Sequence, residues 1–211
     1  MPFSLNDPSA YYSELSGEYN VNVQHIEDYL TQLQTMIADL PAELLDQVVE
    51  ILFKSARNGQ KVFLCGNGGS AANASHIACD LAKNTIVPGA PPLKIIALTD
   101  NMALVTAWGN DTAYDNVFAA QLNPLVEPGD VLIAISASGN SANVLNAVAL
   151  ANERNATTIA FTGDTGGKLA KMADLCLYAP SPRIDQQEDA HLIFGHCITA
   201  AVREAFAQEY A

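Results

Sequence analysis

Lys61-Val62-Phe63-Leu64-Cys65-Gly66-Asn67-Gly68-Gly69-Ser70 is a short apolar run that ends in a glycine-rich loop, with a helical pattern opening behind it. About seventy residues later, Val131-Leu132-Ile133-Ala134-Ile135-Ser136-Ala137-Ser138-Gly139-Asn140-Ser141 repeats the arrangement with more serines. A strand that ends this way aims backbone N–H groups and hydroxyls at a helix N-terminus, where an anion is favoured. Two such loops in one parallel sheet point to a pocket for a phosphorylated small molecule.

Leu93–Leu98, Thr157–Phe161 and Leu175–Tyr178 join Lys61–Cys65 and Val131–Ile135 as candidate strands. Helical segments near Ala71–Lys83, Asn101–Trp108, Tyr114–Leu122, Ala142–Asn152 and Gly167–Met172 separate them, and a last helix is predicted from Asp185 to Ala207. The strands are continuous apolar runs, as a parallel sheet covered on both faces requires. The pattern predicts a doubly wound α/β fold: a five-stranded parallel sheet, helices on both faces, ligands outside the carboxyl ends of the strands.

A chain of 211 residues fits one such domain with a helical extension. Apolar residues make up 49% and charged residues 16%, enough to build a large core. The formal net charge of −13, with only ten Lys and Arg, argues against a nucleic-acid or anionic-membrane surface. A phosphate would have to be held by dipoles, hydroxyls or a metal. The four cysteines show no C-x-x-C spacing, and three lie within apolar strand or helix patterns, which predicts buried free thiols and a reducing compartment. Met1-Pro2-Phe3-Ser4-Leu5 has no basic start or apolar core, and no run of ~18 apolar residues occurs. The expectation is a cytoplasmic protein that spans no membrane.

The first sixty residues read as helical. Val23, Ile26, Leu30, Leu33, Ile37 and Leu40 recur at spacings of three and four, and Pro41 stops that helix. A second helix is expected from Ala42 to Asn58, with Gly59 after it. Residues 1–58 are read as N-terminal helices of the same domain, serving oligomerisation, and 59–211 as the phosphate-binding part. The stripe covers the sheet or packs on another subunit.

The first loop lacks the Gly-Lys-Ser/Thr ending of a Walker A motif and the G-x-G-x-x-G of a dinucleotide site, so neither nucleotide nor organic cofactor is expected. Ser136, Ser138 and Ser141 supply hydroxyls enough to surround a phosphoryl group. Taken singly, each loop could equally be an ordinary βα turn, where Gly, Ser and Asn serve the backbone.

Gly66-Asn67-Gly68-Gly69-Ser70-Ala71-Ala72, Ser136-Ala137-Ser138-Gly139-Asn140-Ser141 and Thr162-Gly163-Asp164-Thr165-Gly166-Gly167 together resemble the sugar isomerase (SIS) domain family. Within it the chain is most similar to the phosphoheptose isomerases, from about residue 20 to residue 207. The resemblance implies a flavodoxin-like sheet order and a homotetramer with active sites at subunit contacts. The implied reaction converts sedoheptulose 7-phosphate to D-glycero-D-manno-heptose 7-phosphate through an enediol, for nucleotide-activated heptose synthesis.

That reaction needs one group to move a proton between neighbouring carbons and another to protonate or polarise the oxygens. His76 and Asp80 are four residues apart and share a helix face, and Asp185, Glu188, Asp189, His191 and His196 gather near the last helix. His25 reads as a surface or packing histidine. Carried over from the resemblance, Asp80 and His196 are the proton-transfer residues, and His76, Asp80, Glu188 and His196 form a zinc site found in some members. Two departures stand out: Asp80 where the family has Glu, and Glu188 where it has Gln. Glu188 and His196 are eight residues apart, ~12 Å on an ideal helix, so both reach one ion only if the helix starts after Glu188 or bends.

Other readings stay open at this stage. His76 and Asp80 could form a surface ion pair worth under ~1 kcal/mol, Glu188 and Asp189 could merely enrich a helix N-terminus in acid, and Asp111 could cap the Tyr114 helix. The substrate-contacting set is read as Asn67, Gly68, Ser70, Asp111, Ser136, Ser138, Ser141, Asp185 and Glu188. Rival functions are a non-catalytic SIS protein that binds a partner, and a SIS isomerase for another sugar phosphate.

Overall fold

The computed structural model, which describes residues 20–210, is built on a five-stranded parallel sheet. Two compact units divide between Asp39 and Leu40. The first contains α1 (Asn20–Ala38), whose Val23, Ile26, Leu30 and Ile37 are 41–59% exposed. The helix expected ahead of Asn20 lies outside the described residues.

The second unit runs α2 (Ala42–Arg57), β1 (Lys61–Gly66), α3 (Gly69–Asn84), β2 (Lys94–Ala97), α4 (Met102–Asp111), a 3-10 turn at Tyr114–Asn116, α5 (Val117–Leu122) and β3 (Val131–Ser136). It continues through α6 (Ala142–Glu153), β4 (Thr157–Thr162), α7 (Leu169–Met172), β5 (Leu175–Tyr178) and α8 (Ile184–Tyr210). Each expected strand matches an observed one to within one residue at either end. α2 lies in the second unit. Its Val48, Val49, Leu52 and Ala56 are buried, and it packs on α8 and β1.

The strand order is β2-β1-β3-β4-β5, every pairing parallel. This is the flavodoxin-like order, in which the chain reverses direction between β1 and β3. Alternate residues of the strands face opposite layers. Phe63, Cys65, Leu132, Ala134 and Ala160 pack with Val117, Phe118 and Leu122 of α5 and Val144, Ala147 and Val148 of α6. On the other face Phe161 meets Phe194 of α8 edge-on, ring centroids 5.3–5.4 Å being typical of this layer, where Phe53 of α2 also meets Phe206. β3 is buried throughout, while the edge strands β2 and β5 are partly exposed.

Only Cys65 among the four free thiols is buried, and burial pushes it up to about 12. Cys79 and Cys197 are exposed, because an amphipathic helix turns some apolar-looking positions outward. Among the described residues no helix is long and apolar enough to cross a membrane.

Phe161 is fully buried against α8. Phe161→Ala is expected to lower stability by about 3–5 kcal/mol, read as a fall in the urea midpoint at unchanged m-value.

Candidate active site

At the β1/β3 reversal the two glycine-serine loops lie side by side. Gly66 must be glycine, since a Cβ there would stand 2.6 Å from the Ser70 carbonyl oxygen, and Gly68 turns the chain at φ 56°. α3 then starts at Gly69 and α6 at Ala142, which places the N-terminal ends of both helices at these loops. Ser136 Oγ lies 3.3 Å from Ser141 Oγ, and Ser70 and Ser136 are buried. Ser138 is exposed and accepts from the Asn140 N–H at 3.2 Å. The loop after β4 braces this one: Gly163 N–H donates to Ala137 O, Leu169 N–H to Gly139 O, and Lys168 N–H to Asn140 Oδ1.

The two phosphate loops are also tied to each other. Asn67 Nδ2 donates to Asn143 Oδ1 at 2.8 Å, and Asn143 Nδ2 returns a bond to Asn67 Oδ1 at 2.9 Å. Tyr114 OH adds a third bond to Asn67 Oδ1 at 2.9 Å. Sequence reasoning missed Asn143, which is 2% exposed. Its only signal is an amide in the first turn of a helix.

Deeper along α3 stands an acid with two imidazoles. Asp80 Oδ2 is 3.4 Å from His76 Nε2 and 3.6 Å from His196 Nε2, and the two Nε2 atoms are 3.2 Å apart. Asn84, one turn on, donates to Asp80 Oδ1 at 3.0 Å and so leaves Oδ2 turned toward the histidines. Gly195 lets α8 come this close to α3: a Cβ there would lie 2.7 Å from Ile77 Cδ1. A glycine inside a helix costs ~1 kcal/mol relative to alanine, and that misplaced residue was the available signal for a tight crossing.

Glu188 is not brought to this group. α8 begins at Ile184, before Glu188, so Glu188 and His196 lie ~12 Å apart on one helix. The expected four-residue metal set therefore reduces to His76, Asp80 and His196, whose ligand atoms lie within 4.8 Å of one another. The Glu188 carboxylate instead overlies Gly69 at the start of α3, while its carbonyl accepts from Asn73 Nδ2 at 2.9 Å. It faces the phosphate loops.

The remaining candidates scatter more. Asp111 is the last residue of α4 and accepts from Asn110 Nδ2 at 2.8 Å; Ala113 takes the N-cap position before Tyr114, so Asp111 does not cap that turn. Asp185 is gripped by Arg183 at 2.6 and 3.1 Å, which holds its carboxyl below the usual carboxylate range. His25 is exposed on α1. A further hydroxyl-acid group at Ser75, Thr99 and Asp100 closes the end of β2 against α3.

Residues 25–163 match the SIS domain family. The chain belongs to the SIS-domain family. A protein of Rhodospirillum rubrum named phosphoheptose isomerase is 42% identical over 164 residues, 78% of this chain and 87% of that one. The structure of a phosphoheptose isomerase from Neisseria gonorrhoeae superposes on this SIS domain with a TM-score of 0.79 at 35% identity, covering 89% of this chain and 100% of the other. That of Francisella tularensis gives 0.80 at 32%, covering 87% and 98%.

His191 of α8 is fully buried, its Nε2 3.1 Å from Thr162 O; a carbonyl only accepts, so Nε2 carries the hydrogen and Nδ1 is left without a partner. Burial pushes its pKa down to about 4. The folded protein keeps the ring neutral while the unfolded chain protonates it below ~6.5, so its contribution is present above pH 6.5 and is lost as pH falls to about 4. His191→Gln, which does not titrate, should lose roughly 3 kcal/mol less than wild type across that window in urea melts.

Proposed function

We propose that this SIS domain is a phosphoheptose isomerase that converts sedoheptulose 7-phosphate to D-glycero-D-manno-heptose 7-phosphate. The observation that carries the reading is a carboxylate and two imidazoles converging beside paired phosphate loops, in a chain aligned over most of its length with relatives of that name. Ser70, Ser136, Ser138 and Ser141 donate to the phosphate, and the N-termini of α3 and α6 add their dipoles. His76 and Asp80 lie seven and eleven residues beyond Gly69, about 10 and 16 Å down the helix axis. A sugar anchored by its phosphate must be several carbons long to reach them, and Asn67, Gly68, Asp111, Asp185 and Glu188 are assigned to its hydroxyls.

In the proposed mechanism Asp80 takes the proton from C1 of the ketose while His196 gives a proton to the C2 oxygen, forming the enediol. The proton then returns to C2 as the C1 hydroxyl loses its own, and C1 becomes the aldehyde. The donor set of His76, Asp80 and His196 also fits zinc, which takes imidazole nitrogen and carboxylate oxygen and keeps an open position in catalytic sites. Bound there, zinc supplies a Lewis acid that polarises a substrate oxygen. We place the enzyme in the cytoplasm, a reading supported by its four free thiols.

The assay is aldose formation from sedoheptulose 7-phosphate, with and without a chelator and added zinc. His196→Ala should lose about 100- to 10,000-fold in kcat. If no aldose forms under any metal condition, the protein is a binder and the isomerase reading fails. Unchanged turnover after chelation removes the zinc alone.

We also assign a homotetramer with sites at subunit contacts. It is supported by the exposed α1 stripe and by α4, which buries no residue yet presents Met102, Leu104 and Trp108. Light scattering should report four chains per particle, and a double substitution of Ile26→Asp with Leu30→Asp should reduce that number. A monomeric wild type sinks this assignment.

A further inference from the structure

His196, Thr199, Ala200 and Arg203 lie along one face of α8, and Asp80 and Asn84 along the facing side of α3; together they line an open cleft of about 290 Å³. The proton-transfer group occupies one end. Arg203 stands two turns beyond His196, about 10 Å along the helix, much of which its own side chain can span.

The far end of this cleft holds hydrogen-bond donors that are not used up. Arg203 makes no hydrogen bond or ion pair among the described residues, although the chain has 23 acidic residues to ten basic ones. Asn84 spends one N–H on Asp80 and keeps another. A guanidinium stays charged at every assay pH and presents a planar fork of donors. Such an arrangement suits an oxygen that carries negative charge.

Resting on the isomerase reading, we propose that Arg203 is a further catalytic residue, its guanidinium donating to the sugar oxygen on which charge develops as the enediol forms. Asn84 completes this oxyanion subsite. An interaction that strengthens only as charge develops raises kcat and leaves ground-state binding nearly untouched.

The test combines turnover with a binding measurement that needs none. Arg203 is exposed, so R203Q should melt like wild type. R203Q should lower kcat about 100- to 1,000-fold and leave KM within about threefold, while R203K recovers part of the loss. In calorimetry, a terminally phosphorylated sugar hydroxamate, whose planar anionic head copies an enediolate, should lose affinity for R203Q in similar proportion. Inorganic phosphate should bind both proteins alike. Wild-type kcat in R203Q, or a hydroxamate that binds both proteins equally or neither, overturns the subsite. Arg203-dependent hydroxamate binding in a protein that turns over no heptose phosphate keeps the subsite and sinks the heptose reading instead.

Discussion

Parallel pairing of Val62–Gly66 with Val131–Ile135 puts the ends of β1 and β3 next to each other, although their sequences are far apart. Each strand then sends its helix to a different face of the sheet, so the two loops open a crevice that backbone cannot fill. The ring of bonds among Asn67, Asn143 and Tyr114 holds that crevice at fixed width. It does so without charge. In a chain of net charge −13, neutral amides and hydroxyls avoid both a repelling carboxylate and a lysine that would need a counter-ion when the site is empty.

Chemistry is added to this pocket by a second contact, between α3 and α8. The pocket alone would hold a phosphate and do nothing to the rest of the sugar. Because α3 begins at the phosphate loop and runs away from it, its residues are graded by distance from the anion: Ser70 at the anchor, His76 and Asp80 further down, Asn84 beyond. α8 lies against the same grading through Gly195 and Ile77. On the proposed reading, one helix sets both where the ligand is held and where its reacting carbons must lie.

The sheet was legible in the sequence because each strand is a short unbroken apolar run between loops rich in turn residues, and a fully buried parallel strand has no other way to read. The phosphate loops were legible for the same reason. His76, Asp80 and His196 could be brought together only through a family resemblance, since nothing local reports which helices touch. The start of α8 was legible to within one residue of the expected Asp185, but an acid near a helix start gives no local sign of which loop it overlies, so the place of Glu188 over Gly69 could not be read from the sequence. The division between Asp39 and Leu40 left no mark in the sequence: α2 is as amphipathic as a covering helix should be, and its buried face alone could not tell which surface it covers. Asn143, Asn84 and Arg203 left no mark, because an amide or an arginine in a helix is unremarkable until its neighbour across space is known.

His76 and His196 are separated by 120 residues, and α8 is the last of the described elements. Long separations are closed late and cost the most chain entropy. During synthesis β1, β3 and their loops, with His76 and Asp80 already on α3, can therefore pair while α8 has yet to emerge, so on the proposed reading the chain gains its phosphate seat and its acid before it gains His196. A protein cut short ahead of α8 would keep the two loops, His76 and Asp80 but lack His196. On the proposed reading, the arrival of α8 is the event that sets His196 against Asp80 and completes the site.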